Sequence, residues 1–175
     1  MFWELIATLV AGVAAAGLTL GLGKVLGGRL PRWVMPIAAG AAMIAMAIYN
    51  EYGWYPRTTA SLPEGFEIVE TVESRAWYRP WTLARPFVER FVAVDRASVR
   101  THESQPDQRL ADIYLFGRWA PVHQLPVLAD CAGWRRAALA DGVGFEADGS
   151  VTGADWATVP EDDAIVTALC GDAGS

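Results

Sequence analysis

The stretch GLGKVLGGRLPRW, residues 21–33, decides the architecture, because it places three cations between two uncharged runs. Residues 5–23 form an uncharged run of 19 residues, and residues 33–49 form another of 17. At about 1.5 Å per helical residue the runs extend roughly 28 and 26 Å, close to the hydrocarbon thickness of a bilayer, about 30 Å. Each run can therefore cross a membrane as a helix.

Two buried helices in a soluble core are the alternative interpretation. Runs this long would need cover on every side, which a chain of 175 residues can hardly provide twice. Trp3, Trp33 and Tyr49 stand at the ends of the runs, where amphipathic rings favour the headgroup layer. We therefore predict a transmembrane helical hairpin over residues 1–50, with spans at about 5–23 and 33–49 and a loop at 24–32.

The first run does not have the pattern of a cleaved signal peptide. Signal peptides begin with a cationic segment and end at a small-residue cleavage site. This chain opens MFWE, with Glu4 as its only early charge, and a second apolar run follows almost at once. We expect an uncleaved anchor.

The cations in the loop predict the orientation of the hairpin. Short loops beside membrane spans are enriched in Lys and Arg on the cytoplasmic side. Lys24, Arg29 and Arg32 are therefore predicted to hold the loop in the cytoplasm, with the N-terminus and everything after Tyr49 outside it. Arginine greatly outnumbers lysine and alanine is abundant, which is typical of GC-rich bacterial genomes. We expect a bacterial inner-membrane protein with its C-terminal domain in the periplasm.

Charge and cysteines agree with this placement. Residues 1–50 carry one acid and three cations, a net +2, whereas residues 51–175 carry 19 acids and 11 arginines, a net −8. An acidic exterior argues against nucleic acid as a partner, since phosphates require a basic face. The chain has two cysteines, Cys131 and Cys170, and both fall in the part predicted to lie outside, which favours a disulfide over two buried thiols.

The rest of the chain predicts a linker and one α+β domain. Residues 51–65 are rich in turn formers and are predicted as the linker, and residues 66–175 as a small, mainly antiparallel β domain with a C-terminal helix. Asp141-Gly142 and Asp148-Gly149 suit tight hairpin turns. Expected strands are 66–74, 91–100, 110–116, 122–128, 134–139, 143–146 and 155–159. From Pro160 to Gly171 the pattern predicts a helix that packs Ile165, Val166 and Leu169 on the sheet and is joined to Cys131 by the disulfide.

Small residues in the two spans predict a surface for helix packing. Gly17, Gly21 and Gly40 would allow close approach of helix backbones in lipid. Either the two spans pack on each other through these glycines, or the glycines bind a helix of another protein.

The stretch SRAWYRPW, residues 74–81, is the candidate interface. Trp77, Tyr78, Arg79 and Trp81 are of the residue types enriched at the centres of protein interfaces. Core packing and contact with the membrane surface are the alternatives. Trp119 and Trp134 are expected in the core, because each flanks a predicted strand.

No spacing in the chain is typical of a catalytic or metal site. His102 and His123 are the only histidines, and neither stands at a metal-ligand spacing from another nitrogen or sulfur ligand. A serine elbow of the GxSxG type is missing from the sequence. We therefore expect no catalytic residue, no metal, no cofactor and no enzymatic activity.

These observations favour a non-catalytic, membrane-anchored accessory subunit or assembly factor of a larger bacterial membrane complex. The analogy is with respiratory or photosynthetic complexes, and the expected partners are the lipid bilayer and an integral membrane complex. The alternative is a periplasmic binding module for a small molecule, lipid or cell-wall fragment, with Trp77, Tyr78 and Trp81 as one wall of a pocket. A third hypothesis, an enzyme built around both histidines, requires the two imidazoles to lie close together or beside a carboxylate cluster.

Overall fold

The computed structural model describes residues 2–139, 143–146 and 149–171. The chain divides into two compact units, Met1–Ala60 and Ser61–Ser175. The predicted fold class is confirmed, because two long N-terminal helices precede a curled antiparallel sheet and a C-terminal helix.

The first unit is a hairpin of α1 (Phe2–Val25) and α2 (Val34–Ala60). Both helices are long and apolar enough to cross a membrane, by length and composition. Only 6% of the most apolar window of α1 and 11% of that of α2 is buried. Such low burial does not match helices in a soluble core.

A two-glycine turn ends α1. Gly27 and Gly28 have φ angles of 66° and 77°. The Gly27 N–H donates to the Lys24 carbonyl at 3.1 Å, and the Gly28 N–H donates to the Gly23 carbonyl at 2.8 Å, which is the Schellman pattern. Glycine adopts positive φ without the steric penalty of a Cβ, so these two residues decide where the helix stops.

The two helices approach each other at Gly12. A Cβ at that position would lie 2.7 Å from Met43 Cγ, whereas a Cβ at Gly17, Gly21 or Gly40 would meet no described atom within 4 Å. At 3.6 residues per turn, Gly17 lies about 140° around α1 from Gly12, and Gly21 about 180°. The interpretation that these three glycines pack the two spans together was therefore wrong.

Helix α2 is longer than predicted, since the predicted linker at 51–65 is helical as far as Ala60. Arg57 stabilises the added turns. Its Nη2 donates to the Asn50 carbonyl at 3.3 Å and lies 3.5 Å from Glu4 Oε1 at the start of α1. A Cβ at Gly53 would overlap the Arg57 guanidinium, so the glycine makes room for this contact.

The second unit, called the β domain here, is built on a seven-stranded sheet in the order β1-β2-β4-β5-β6-β9, with β3 paired to β4. All of its strand pairs are antiparallel. A separate hairpin joins β7 to β8. The strands are β1 (Phe66–Ser74), β2 (Phe87–Asp95), β3 (Arg100–His102), β4 (Gln105–Gly117), β5 (His123–Asp130), β6 (Arg135–Ala138), β7 (Gly144–Phe145), β8 (Val151–Thr152) and β9 (Ala157–Thr158).

The predicted strands match in part. β1 has the predicted bounds, but β2 begins at Phe87 and ends at Asp95, where a 3-10 turn follows. The Asp95 side chain accepts a hydrogen bond from the Ala97 N–H at 2.9 Å and so stops the predicted continuation to residue 100. Asp141-Gly142 and Asp148 lie outside the described residues, whereas Gly149, in the β7–β8 hairpin, has a φ of 78°.

The C-terminal helix α4 (Ala164–Cys170) begins later than predicted. Asp163 caps it, since its Oδ1 accepts hydrogen bonds from the Ile165 and Val166 N–H groups at 3.1 and 3.0 Å. Ile165, Val166 and Leu169 are buried, as predicted. Around them lies the core of the domain, with Val94, Ala111, Ile113, Val127 and Ala129 from β2, β4 and β5.

The predicted disulfide between Cys131 and Cys170 is present, with a Cα–Cα distance of 5.6 Å. It joins the end of β5 to the end of α4. A bridge across 39 residues is worth about 4 kcal/mol in the chain-entropy model.

The turn after β5 is held by Asp130 next to the disulfide. Burial by itself raises the pKa of Asp130, but hydrogen bonds from Arg135 and the Gly133 amide, together with the Arg135 charge, leave that pKa below its usual value. Gly133 is needed here, since a Cβ would lie 2.6 Å from Asp130 Oδ2.

We expect Gly12→Leu to destabilise the helical hairpin by about 1–3 kcal/mol, because the new side chain would overlap Met43. Gly17→Leu is the matched control, and it should change stability little because its side chain would enter open space. Thermal unfolding of the full chain in detergent micelles, followed by helical circular dichroism, measures both. Equal losses in the two variants would contradict close packing at Gly12.

Candidate functional site

Two connections leave the same end of the sheet, residues 75–86 between β1 and β2 and residues 118–122 between β4 and β5. The strand register shows this. Ser74, at the end of β1, pairs with Phe87 at the start of β2, and Gly117, at the end of β4, pairs with Arg90 of β2. Neighbouring strands lie about 4.8 Å apart, so the two connections are close. We call this surface the aromatic end, and we define it by its exposed large apolar side chains: Trp77, Tyr78, Leu83, Trp119 and Val122.

Thr82 organises the first connection. It is fully buried in the short helix α3 (Pro80–Ala84), and its hydroxyl accepts a hydrogen bond from the Ala76 N–H at 3.0 Å. The same hydroxyl donates to the Arg79 carbonyl at 2.7 Å. Pro80 suits the first helical position, where no N–H is required. These contacts fix the backbone that carries Trp77 and Tyr78.

The rings of the aromatic end lie open to solvent. Trp77 is 85% exposed and Trp119 is 59% exposed. Trp77 contacts Tyr78 edge-on, with ring centroids 6.0 Å apart. The Arg79 guanidinium lies 5.3 Å from the centre of the Tyr78 ring, and that of Arg118 lies 5.0 Å from the Trp119 ring, both within cation–π range.

Arginines make this end cationic in an otherwise acidic domain. Arg75 and Arg85 lie in the first connection and are exposed, and Arg90 is exposed on β2 next to the second. Exposed rings beside arginines are the composition of interface centres, whereas single exposed apolar residues are ordinary on protein surfaces. The aromatic end can therefore bind a partner through desolvated rings and guanidinium groups.

The structure decides several of the sequence predictions. Core packing of Trp77 and Tyr78 is contradicted by their exposure, while Arg79 and Trp81 are half-buried. The core placement of Trp119 was wrong, because the chain has left β4 before reaching it. Trp134 is half-buried and packs against the core.

Sequence reasoning missed Leu83, Trp119 and Val122 as members of this surface. The signal existed, since WAPV at 119–122 breaks the strand pattern much as RAWYRP does at 75–80. Only the strand order shows that both breaks fall at one end of the sheet.

The histidines do not form a joint site. His102 pairs with Gln105 near one end of β4, and His123 pairs with Leu115 near the other. Ten residues of strand separate those partners, roughly 33 Å at 3.3 Å per residue. Among the residues that the structure describes, no group of three His, Cys, Asp or Glu side chains could hold a metal ion. The two imidazoles are therefore too far apart for the hypothesis of an enzyme built around both histidines.

A cavity of about 200 Å³ lies at the end of β4 away from the aromatic end. Its wall is mainly apolar, and Gln108 is one of its polar members. The Gln108 Oε1 atom is buried and has no hydrogen-bond partner in the described part of the chain. Other side chains that line the cavity are Arg100, Thr101, His102, Gln105, Leu110, Leu128, Phe145, Glu146 and Val151.

Comparison with protein-family models, with curated proteins and with solved structures finds no match to this chain.

Proposed function

We propose that this chain is a non-catalytic, membrane-anchored accessory subunit or assembly factor of a larger bacterial inner-membrane complex. Helices α1 and α2 insert as a hairpin, and the β domain lies in the periplasm. The hydropathy and low burial of both helices support insertion. The cations Lys24, Arg29 and Arg32 support a cytoplasmic loop, because all three are exposed beside the helix ends.

The observation that carries the proposal is the aromatic end. Trp77, on a backbone held by the Thr82 hydrogen bonds, and Trp119 are both exposed, and a partner that covers the two rings removes their apolar area from water. The cationic rim suits a partner with acidic groups around an apolar centre. Gly17 and Gly21 support a second contact within the membrane, since they face away from α2 and their faces are open.

The proposed orientation predicts opposite results for two reporter fusions in a bacterial host. Alkaline phosphatase fused after Ser175 should be active, because that enzyme needs the periplasm to form its disulfides. The same reporter fused after Gly27 should be inactive. A reversed pattern would overturn the orientation and the compartment proposed for the disulfide.

Purification of the chain from native membranes, with a C-terminal tag and a gentle detergent, tests the proposed partner. The wild-type chain should retain a stoichiometric membrane protein, and Trp77→Ala/Trp119→Ala should lose at least about 30-fold in affinity for it, the cost of one interface hot spot. Mass spectrometry of the bound fraction measures retention.

Phe145→Ala is the matched control, since Phe145 is also exposed but lies at the cavity, away from the aromatic end. This variant should retain the partner. Gly17→Leu/Gly21→Leu tests the membrane contact, with Leu5→Ala/Leu22→Ala as the control on other exposed parts of α1. A lone monomer at every detergent strength, or equal retention by the Trp77→Ala/Trp119→Ala variant, would contradict the proposal.

The second candidate function is small-molecule binding by the β domain, and the cavity beside Gln108 favours it. A cavity of about 150 Å³ is enough for a benzene-sized ring. A buried acceptor without a partner gains a hydrogen bond if the ligand brings a donor. This version of the hypothesis does not use Trp77, Tyr78 or Trp81, none of which lines the cavity.

Phenol and anisole test this candidate as probes, because they share a ring and only phenol has a donor. The chain has three glutamines, so selective ¹⁵N-glutamine labelling of the full chain in nanodiscs gives three side-chain signals. Phenol should shift the Gln108 signal saturably and bind about fivefold more tightly than anisole, the net value of one hydrogen bond. Gln124, which does not line the cavity, is the internal control.

Val151→Phe should abolish both effects by filling the cavity. Equal binding of phenol and anisole, or shifts that persist in Val151→Phe, would rule out this site.

A further inference from the structure

A cleft of about 550 Å³ lies at the loop end of the helical hairpin. Its walls come from the last turns of α1, the loop and the first turn of α2. Gly23 and Gly28 line it without side chains, and a Cβ at Gly23 would be in ordinary van der Waals contact with Leu30 Cδ1, at 3.7 Å. The apolar side chains that line it are Leu20, Leu30, Pro31 and Met35.

Two of the three loop cations line this cleft and the third does not. Lys24 and Arg32 belong to its wall, while Arg29 lies in the same loop outside it. The hydroxyl of Thr19, also in the wall, donates to the Ala15 carbonyl at 2.7 Å within the helix. The charge available to a ligand in the cleft is therefore that of Lys24 and Arg32.

We propose that the cleft binds one anionic phospholipid. Its phosphate lies between Lys24 and Arg32, and an acyl chain runs along Leu20, Leu30 and Met35. Lysine and arginine form charge-assisted hydrogen bonds with phosphate, and an apolar groove next to them matches the chemistry of a lipid rather than of a soluble anion.

This inference rests on the proposed membrane insertion of the hairpin. The positive-inside rule accounts for three cations in the loop by their number, and any order along the loop would satisfy it. The cleft distinguishes the three cations, because Lys24 and Arg32 line it and Arg29 does not. It also agrees with the proposed orientation, since basic pockets between transmembrane helices on the cytoplasmic side bind anionic lipid headgroups.

Native mass spectrometry of the purified full chain tests the proposal, with phosphatidylglycerol and phosphatidylcholine of identical acyl chains as probes. The wild-type chain should retain phosphatidylglycerol in preference to phosphatidylcholine. Lys24→Gln and Arg32→Gln should each reduce that preference about fivefold, the effect of one basic residue near an anionic lipid surface. Arg29→Gln removes the same charge from the same loop and should change the preference less than about twofold.

Three results would overturn the proposal: equal retention of the two lipids, an equal loss of preference in Arg29→Gln, or displacement of phosphatidylglycerol by millimolar inorganic phosphate. The second result would mean diffuse attraction, and the third a site for free phosphate. A chain that retained neither lipid and stayed in the aqueous fraction would refute membrane insertion itself. Failure of the lipid site is thereby distinguished from failure of the proposed anchor.

Discussion

The contact between α4 and one face of the sheet is the interaction on which the β domain depends. A helix of seven residues is not stable alone in water, so its ends must be held. Asp163 caps the first turn and lies 3.4 Å from Arg136 on β6. Arg109 and Arg96 donate hydrogen bonds to carbonyls of the last turn, and these charges suit the helix dipole at both ends. The disulfide then fixes Cys170 beside β5.

With α4 covering the core, both candidate surfaces of the β domain lie at the ends of its strands. The connections at one end carry exposed rings and arginines, and the opposite end of β4 encloses a cavity with a buried carboxamide oxygen. In the hairpin, Gly12 packs closely against Met43 of α2, whereas Gly17, Gly21 and Gly40 remain on open faces.

Features that depend on near neighbours in the chain were predicted well. The alternation of FEIVETVES gave the bounds of β1, and the apolar periodicity near the C-terminus placed Ile165, Val166 and Leu169 on the sheet. Features that depend on distant residues were missed. Gly53 and Pro56 indicated a linker, but Arg57, held by Glu4 and the Asn50 carbonyl, keeps that segment helical. Trp119 looked like a core residue until the register of β4 and β5 placed it in a connection.

Composition and residue order are sufficient to predict the two apolar helices, the cationic loop between them, the α+β class and the pairing of two cysteines. Hydropathy, turn propensity and the count of thiols act locally or on the chain as a whole, so no knowledge of packing is needed. Which glycine brings the helices together, which rings are exposed and which loop cations share a cleft were decided only by the tertiary structure. Each of those properties depends on atoms far apart in sequence, because burial and contact are set by the neighbours that folding brings together.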